Sequence, residues 1–473
     1  MMWQQGQQVE VEITDLTDDG NGVGRYQDRV IFVPDTVPGD RVLVRLVRVK
    51  SKYAEGKLQD ILAASPARIT PRCIVADKCG GCQWQHVEYE TQLQAKRDLV
   101  VKTLERIGGF IQPPVDQMLA GESALGYRNK VTYPLGRSAT GQVQAGYFQK
   151  QSHRLINLNQ CPVQDQRLNP LLANIKLDIH NRGWSIYDES QHRGKIRHLS
   201  LRIGRRTGEI LLTLIATQAS LPGLNEQAET WLEQYPSLKG VCLNLNPDQT
   251  NMIFGEQTRC LAGQPYLQEE FGGLTFFLRP DTFFQINTEV AEALLQIMLQ
   301  QLNLQGTERI VDAYCGIGTF TLPLAQDLLQ KQAGSMQSLN LPQVMGLEVQ
   351  ESAIEQARQN AIFNRIDNVE FKLGTVQKLL PQLGYKPDLV LLDPPRKGCD
   401  RTVLETLLNL QPQRLIYISC KPATLARDLK ILCETGVYEL IRVQPADFFP
   451  QTSHVESMAF LQCSSPENSL TAN

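Results

Sequence analysis

Cys420 closes an apolar run, Leu415-Ile-Tyr-Ile-Ser419, far downstream of a glycine-bearing turn, Asp312-Ala-Tyr-Cys-Gly316-Ile-Gly318-Thr319. A thiol at a strand end can act as a nucleophile, and glycines just after a strand let the backbone approach a nucleoside-type cofactor. Most methyl acceptors attack with a lone pair they already own. A thiol facing such a cofactor is needed when the acceptor is an unactivated carbon, so the pattern points to carbon methylation of a base. Glu348 follows the strand ending at Leu347 and suits ribose hydroxyls. The interval from Gly316 exceeds the roughly 20 residues usual for dinucleotide sites, because Lys331 to Pro342 reads as an insertion. S-adenosylmethionine, which has no phosphate, fits this turn better than a dinucleotide; the plain alternative is a tight turn with no ligand.

Asp393-Pro394-Pro395-Arg396 follows the strand Leu389-Val-Leu-Leu392, again at a carboxyl end. Two prolines stiffen a loop that can lie against cofactor and base. Aspartate, where amine methyltransferases commonly carry asparagine, argues against amine chemistry. Glu456, in Phe449-Pro-Gln-Thr-Ser-His454-Val-Glu456, reads by itself as a surface glutamate, and His454 as a loop-ordering residue.

Cys73, Cys79 and Cys82 form C-x5-C-G-G-C, and Cys161-Pro162 is a distant fourth candidate. Four thiolates suit a zinc ion or an iron–sulfur cluster. Zinc ribbons pair two C-x-x-C knuckles, whereas three clustered cysteines with a remote Cys-Pro favour a four-iron cluster; unligated core cysteines are the bland reading. Gly80-Gly81 would let the backbone turn around a bulky cluster. The spacing differs from the C-x3-C-x2-C of radical enzymes, so a fully ligated, structural cluster is expected. Eleven cysteines without a secretory start point to metal binding and catalysis rather than disulfides.

These groups need elements to hold them. A chain of 473 residues predicts two or three domains. Its 42% apolar and 21% charged content is ordinary, and no apolar stretch approaches the roughly 20 residues of a bilayer span; a cytoplasmic protein that avoids membranes is expected. A net charge of −3 leaves any polyanion site to local patches. Residues 1–65 read as five short strands of an OB-like barrel, with Arg41, Arg45 and Arg48 on one strand. Residues 66–273 read as a central β-rich domain holding the cysteines, and 89–107 as an amphipathic helix with Leu93, Val100, Leu104 and Ile107 on one stripe, able to pack on the next domain. The run Arg193, Lys195, Arg197, Arg202, Arg205, Arg206 is either a wet face or a phosphate grip. Residues 274–465 alternate helix and strand, which predicts a doubly wound parallel sheet with ligands at the carboxyl ends of its strands. Residues 466–473 form a polar tail expected to be disordered.

Taken together, Cys73/Cys79/Cys82/Cys161, Phe283-Phe-Gln285-Ile-Asn287, Asp312 to Phe320, Leu392-Asp-Pro-Pro-Arg396, Ile418-Ser-Cys420-Lys-Pro-Ala-Thr-Leu-Ala-Arg-Asp428 and Asp447 to Ser457 resemble the RNA uracil-C5-methyltransferases, most closely the 23S ribosomal RNA (RumA-type) group with an N-terminal TRAM domain and a 4Fe-4S cluster. The resemblance implies a barrel of TRAM type, a central iron–sulfur domain and a Rossmann-like methyltransferase domain. It implies Cys420 as nucleophile, Glu456 as base, and S-adenosylmethionine contacts from Gln285, Tyr314, Glu348 and Asp393. It further implies a cluster on Cys73, Cys79, Cys82 and Cys161, and a flipped or single-stranded uracil in ribosomal RNA as the substrate of a monomer. The same reaction on transfer RNA, and a non-catalytic RNA-binding iron–sulfur protein, are the alternatives.

Overall fold

The computed structural model describes residues 3–332 and 343–464. Most of the expected insertion and the expected tail lie outside the described residues. Strands Gln8–Leu16, Gly22–Tyr26, Arg29–Val33, Tyr53–Ala63 and Arg41–Val49 pair in that order and close into a barrel. Period-two alternation sorts their side chains: Val9, Val11, Ile13, Val42, Val44 and Leu46 fill the interior, while Glu10, Glu12, Arg41 and Arg45 face out. Gln27 and Asp28 both have positive φ, 47° and 64°, the primed two-residue turn whose twist matches a hairpin. Arg41 pairs with Glu10 at 3.0 Å and Arg48 with Glu55 at 3.2 Å, all on the surface.

The central sheet has seven strands in the order Gln257–Gly263, Leu238–Leu245, Ile210–Ala216, Ile196–Ile203, Lys130–Arg137, Val143–Phe148, Leu155–Asn157. Leu171, Leu172 and Ile175 of helix Asn169–Asn181, and Ala228 and Trp231 of helix Leu224–Gln234, share a core with Leu199, Leu201, Leu212 and Leu214. The strand Ile196–Ile203 lies at the centre of this sheet and is nearly all buried. Its arginines therefore need internal partners, and the phosphate-grip reading of the basic run is corrected at Arg197 and Arg202. Arg197 donates to the carbonyls of Asn246, Asp248 and Thr250; Arg202 donates to those of Arg279 and Thr282. Arg205 pairs with Asp165 and Glu289, and Arg206 with Glu292.

The C-terminal sheet runs Val369–Leu373, Val344–Glu348, Ile310–Ala313, Leu389–Leu392, Arg414–Ser419, Glu456–Cys463, Tyr438–Ala446. The first five strands are parallel, and the last two return antiparallel. One face is covered by helices Thr288–Leu302, Thr321–Gln332 and Glu351–Phe363, the other by Arg401–Leu410, Pro422–Cys433 and Tyr89–Thr103. The doubly wound expectation thus gains an antiparallel edge pair. Hairpin Leu267–Phe271/Leu274–Leu278 turns at Gly272-Gly273, so the expected boundary at 273/274 falls inside it, and both of its strands join the core of the C-terminal sheet.

Helix Tyr89–Thr103 stops short of Ile107, passing into a π turn Leu104–Gly108 that ends on left-handed Gly109. Ile107 is 43% exposed. Of the other stripe residues, Val100 and Leu104 are buried and Leu93 is half-buried, and polar Gln92 and Lys96 are buried beside them.

Candidate active site

Strands Val344–Glu348, Ile310–Ala313, Leu389–Leu392 and Arg414–Ser419 are consecutive neighbours, so their carboxyl ends set Glu348, Tyr314, Asp393 and Cys420 in a row across the sheet. The chain reverses its winding between Ile310–Ala313 and Leu389–Leu392, the switch point where open α/β sheets bind ligands. Tyr314, Gly316 and Gly318 all have positive φ, 73°, 54° and 86°. A Cβ on Gly316 would meet nothing within 4 Å, so the turn presents bare backbone to open space where a nucleoside can lie. Glu348 braces that turn: one oxygen accepts from Gly316 N at 3.1 Å, the other from Val349 N at 2.7 Å and Gln350 N at 2.9 Å. A carboxylate offers about four acceptor positions, which leaves one for a ribose hydroxyl.

Beside it, buried Asp312 accepts from Thr321 Oγ1 at 2.6 Å, and burial pushes its carboxyl up to about 8. Asp393 is pushed up to about 7, also by burial.

Ser419 and Ser457 are paired across the antiparallel strands, so one step further Cys420 and Glu456 come opposite each other. Glu456 is 7% exposed. Burial, then the neighbouring Asp393 charge, lifts its carboxyl well above the ordinary range, while Arg396 pulls it back. The Cys420 thiol is half-buried and raised by burial first and Glu456 second; Arg396 again opposes. Arg396 is exposed. It is the cation that acts on both reactive groups, and the motif Asp393–Arg396 contained it without its role being read.

The segment leading to Glu456 is tied down from three sides. Ser453 Oγ donates to Asp18 O of the barrel. The amides of Gln83 and Trp84, just after Cys82, both donate to Gln451 O at 3.0 Å, and Tyr127 Oη donates to Pro450 O at 3.0 Å. From helix Tyr89–Thr103, Lys96 Nζ meets Asp447 Oδ1 at 2.6 Å with both side chains fully buried, and Gln92 exchanges hydrogen bonds with Gln451. This network explains the polar stripe of that helix. Its residues lie too far apart in sequence for spacing to reveal them.

Gln285 lies on the stretch before helix Thr288–Leu302, and the central sheet grips that stretch by its carbonyls. Asn129 Nδ2 donates to Gln285 O at 2.7 Å, Lys130 Nζ to Pro280 O at 3.0 Å, and Arg202 to Arg279 O and Thr282 O at 2.9 and 2.6 Å. Phe283, two residues earlier, is 66% exposed, an unusual state for a large aromatic.

Cys73, Cys79, Cys82 and Cys161 line one small, nearly closed cavity together with Gln85, Arg128 and Tyr147. No group of three or more His, Cys, Asp or Glu among the described residues could hold a single metal ion. Gly81 N donates to Cys79 Sγ at 3.4 Å and Gln85 Nε2 to Cys82 Sγ at 3.7 Å. Burial raises the thiols of Cys79 and Cys161, and lifts that of Cys82 to about 11. A Cβ on Gly81 would press on Tyr147 at 3.3 Å and Cys79 Sγ at 3.5 Å, so glycine keeps this wall of the cavity open.

Residues 88–464 match the family model for tRNA (uracil-5-)-methyltransferase, and residues 2–58 that of the TRAM domain. An RNA methyltransferase of Nostoc sp. is 63% identical over 459 residues, covering 97% of both chains. One of Synechocystis sp. is 54% identical over 461 residues, covering 98% of this chain and 97% of its own. The solved structure of the Pyrococcus abyssi tRNA (uracil-54, C5)-methyltransferase in complex with S-adenosyl-L-homocysteine matches with a TM-score of 0.73 at 26% identity, covering 96% of this chain and 100% of that one. No helix among the described residues is long and apolar enough to cross a membrane.

Proposed function

The chain belongs to the tRNA (uracil-5-)-methyltransferase family, and from that premise we propose that it methylates C5 of a uracil in RNA with S-adenosylmethionine as donor. The observation that carries the proposal is the placement of Cys420 opposite Glu456, beside the open glycine turn at Gly316. When bound, S-adenosylmethionine supplies an electrophilic methyl group on a sulfonium; Gln285, Tyr314, Glu348 and Asp393 are the groups proposed to hold it.

Uracil C5 is a weak nucleophile. Addition of the Cys420 thiolate to C6 forms an S–C6 bond and moves the C5=C6 electrons onto C5 and O4 as an enolate. C5 then takes the methyl group, and S-adenosylhomocysteine departs. Glu456 removes the C5 proton, the C5=C6 bond reforms, and the S–C6 electrons return to Cys420. The raised proton affinity of buried Glu456 suits it to accept a carbon-bound proton, and Arg396 favours the thiolate form of Cys420. A stacked base cannot reach this site, so the uracil is flipped or single-stranded.

Cys73, Cys79, Cys82 and Cys161 are proposed to hold a 4Fe-4S cluster. Support comes from their shared cavity, the amide donor of Gly81 and the Arg128 cation. Bound iron would keep as thiolates the sulfurs of Cys79, Cys82 and Cys161, which burial otherwise holds protonated. Anaerobic purification should yield a brown protein with stoichiometric iron and sulfide; a colourless, iron-free, fully active protein overturns this part.

Two substrates are in play. A barrel joined to a cysteine-bearing domain supports ribosomal RNA, the first reading; the Pyrococcus transfer RNA enzyme, which matches along its whole length, supports transfer RNA. Mass mapping of methylated uridines in both RNA classes from a deletion strain, with Cys420→Ala as the complementation control, separates them. Unchanged 5-methyluridine in every RNA refutes the function itself.

A further inference from the structure

Cys242 and Cys260 have no part in the cavity or in the active site. They stand directly opposite each other on the antiparallel strands Leu238–Leu245 and Gln257–Gly263, where a bulge shifts the register between Val241 and Cys242. Facing residues of such a pair have Cα atoms about 4.5–5.5 Å apart, within the roughly 4.4–6.8 Å that a disulfide spans. Each thiol perturbs the other, that of Cys242 being raised and that of Cys260 lowered, and the Cys260 S–H donates to the carbonyls of Ala262 at 3.3 Å and Gly263 at 3.5 Å. Cys242 is buried and Cys260 half-buried, at the edge of the central sheet where it meets the catalytic core.

We propose that Cys242 and Cys260 form a peroxide-reactive thiol pair that closes to a cross-strand disulfide. Cys260, the accessible partner, attacks a peroxide oxygen; the O–O bond breaks, one water leaves, and Cys260 carries a sulfenic acid. The Cys242 sulfur then attacks the Cys260 sulfur, the S–O bond breaks, and the hydroxyl leaves as a second water with the Cys242 proton. Two thiols are oxidised by two electrons and one peroxide is reduced. Burial assigns attacker and resolver: half-buried Cys260 can meet the peroxide, while Cys242 is buried and reaches only the Cys260 sulfur opposite it. A thiolate directly across the strands from its resolving thiol closes the bond before over-oxidation.

Trypsin cuts between Arg259 and Cys260 and passes over Arg279, which precedes Pro280, so the two cysteines fall on separate peptides, 240–259 and 260–309. The full-length protein is treated with hydrogen peroxide, its remaining thiols are alkylated, and it is digested without reductant. The expected product is these two peptides joined, lighter by two hydrogens than their sum and released by dithiothreitol. In Cys242→Ser the link is lost and Cys260 becomes trappable by dimedone; in Cys260→Ala the link is lost and Cys242 stays alkylatable. Wild-type protein in which both cysteines are recovered alkylated, or in which Cys260 reaches the sulfinic acid while Cys242 remains free, overturns the proposal. The readout is independent of RNA methylation and of the cluster.

Discussion

Replacing Lys96 with methionine keeps most of the side-chain volume of helix Tyr89–Thr103 and removes its charge. Lys96 and Asp447 are both fully buried, 2.6 Å apart, and the second Asp447 oxygen has no hydrogen-bond partner among the described residues. In Lys96→Met the carboxylate is left buried without a counter-ion. Breaking a buried pair from one side costs about 3–5 kcal/mol, a large part of the roughly 5–15 kcal/mol that holds a domain together. The cost falls on the segment that ends at Glu456, so methyl transfer should drop together with stability. In Lys96→Met/Asp447→Leu no charge remains to be buried, and most of the lost stability should return, since apolar replacements of buried pairs are often neutral. Urea titrations of the wild type, both single variants and the double variant measure this as shifts of the midpoint at constant slope. A single variant that loses less than about 1 kcal/mol would show that the pair behaves as an exposed one, and would refute the view that it anchors the base-bearing segment.

Asp393 is held at about 7 when folded against an ordinary 3.8, so the folded chain binds its proton more tightly. The stability this group lends is full below about pH 3.8 and lost as pH rises through about 7. Asp393→Asn, neutral at every pH, should therefore be more stable than wild type by about 2–4 kcal/mol near pH 8 and equal to it near pH 3.5; a pH-independent difference contradicts this. Because Asp393, Glu456 and Cys420 are all raised, kcat/KM should climb from neutral into alkaline pH, and a bell centred near pH 6 would count against these assignments. Arg202→Ala frees two carbonyls of the Gln285 stretch. At about 1.5–3 kcal/mol this should raise KM for S-adenosylmethionine about ten- to a hundredfold more than it lowers kcat, with partial rescue by Arg202→Lys; an unchanged KM removes the positioning role. Arg128→Met removes a cation that lines the cysteine cavity and should make the proposed cluster harder to reduce, a more negative midpoint in an EPR-monitored redox titration. An unmoved midpoint denies Arg128 that influence.

Local chemistry was legible in the chain wherever a motif sits on one strand end. The turn at Gly316, the carboxylates of Glu348 and Asp393, and Cys420 fall on carboxyl ends of parallel strands because apolar runs bounded by turns read as buried strands. Strand Arg414–Ser419 has the bounds read for it. Three things were not legible. The antiparallel pair Tyr438–Ala446/Glu456–Cys463 went unread, so Glu456 by itself looked like a surface residue; pairing across the sheet buries it. Charge runs also mislead, since Arg197 and Arg202 look like an RNA-facing patch until their strand proves central and their guanidinium groups are used on internal carbonyls. Spacing cannot report contacts as distant as Gln92 with Gln451 or Asp18 with Ser453.

Glu456→Gln offers the most direct test of the covalent mechanism, because it should allow Cys420 to add to C6 and C5 to take the methyl group while blocking loss of the C5 proton. Incubated with the substrate RNA and S-adenosylmethionine, this variant should accumulate a denaturation-resistant protein–RNA adduct, with the methylated uridine linked through Cys420 in the nuclease- and protease-trimmed product, and Cys420→Ala should form none. Turnover by Cys420→Ala, or an adduct mapped to another residue, would contradict the account.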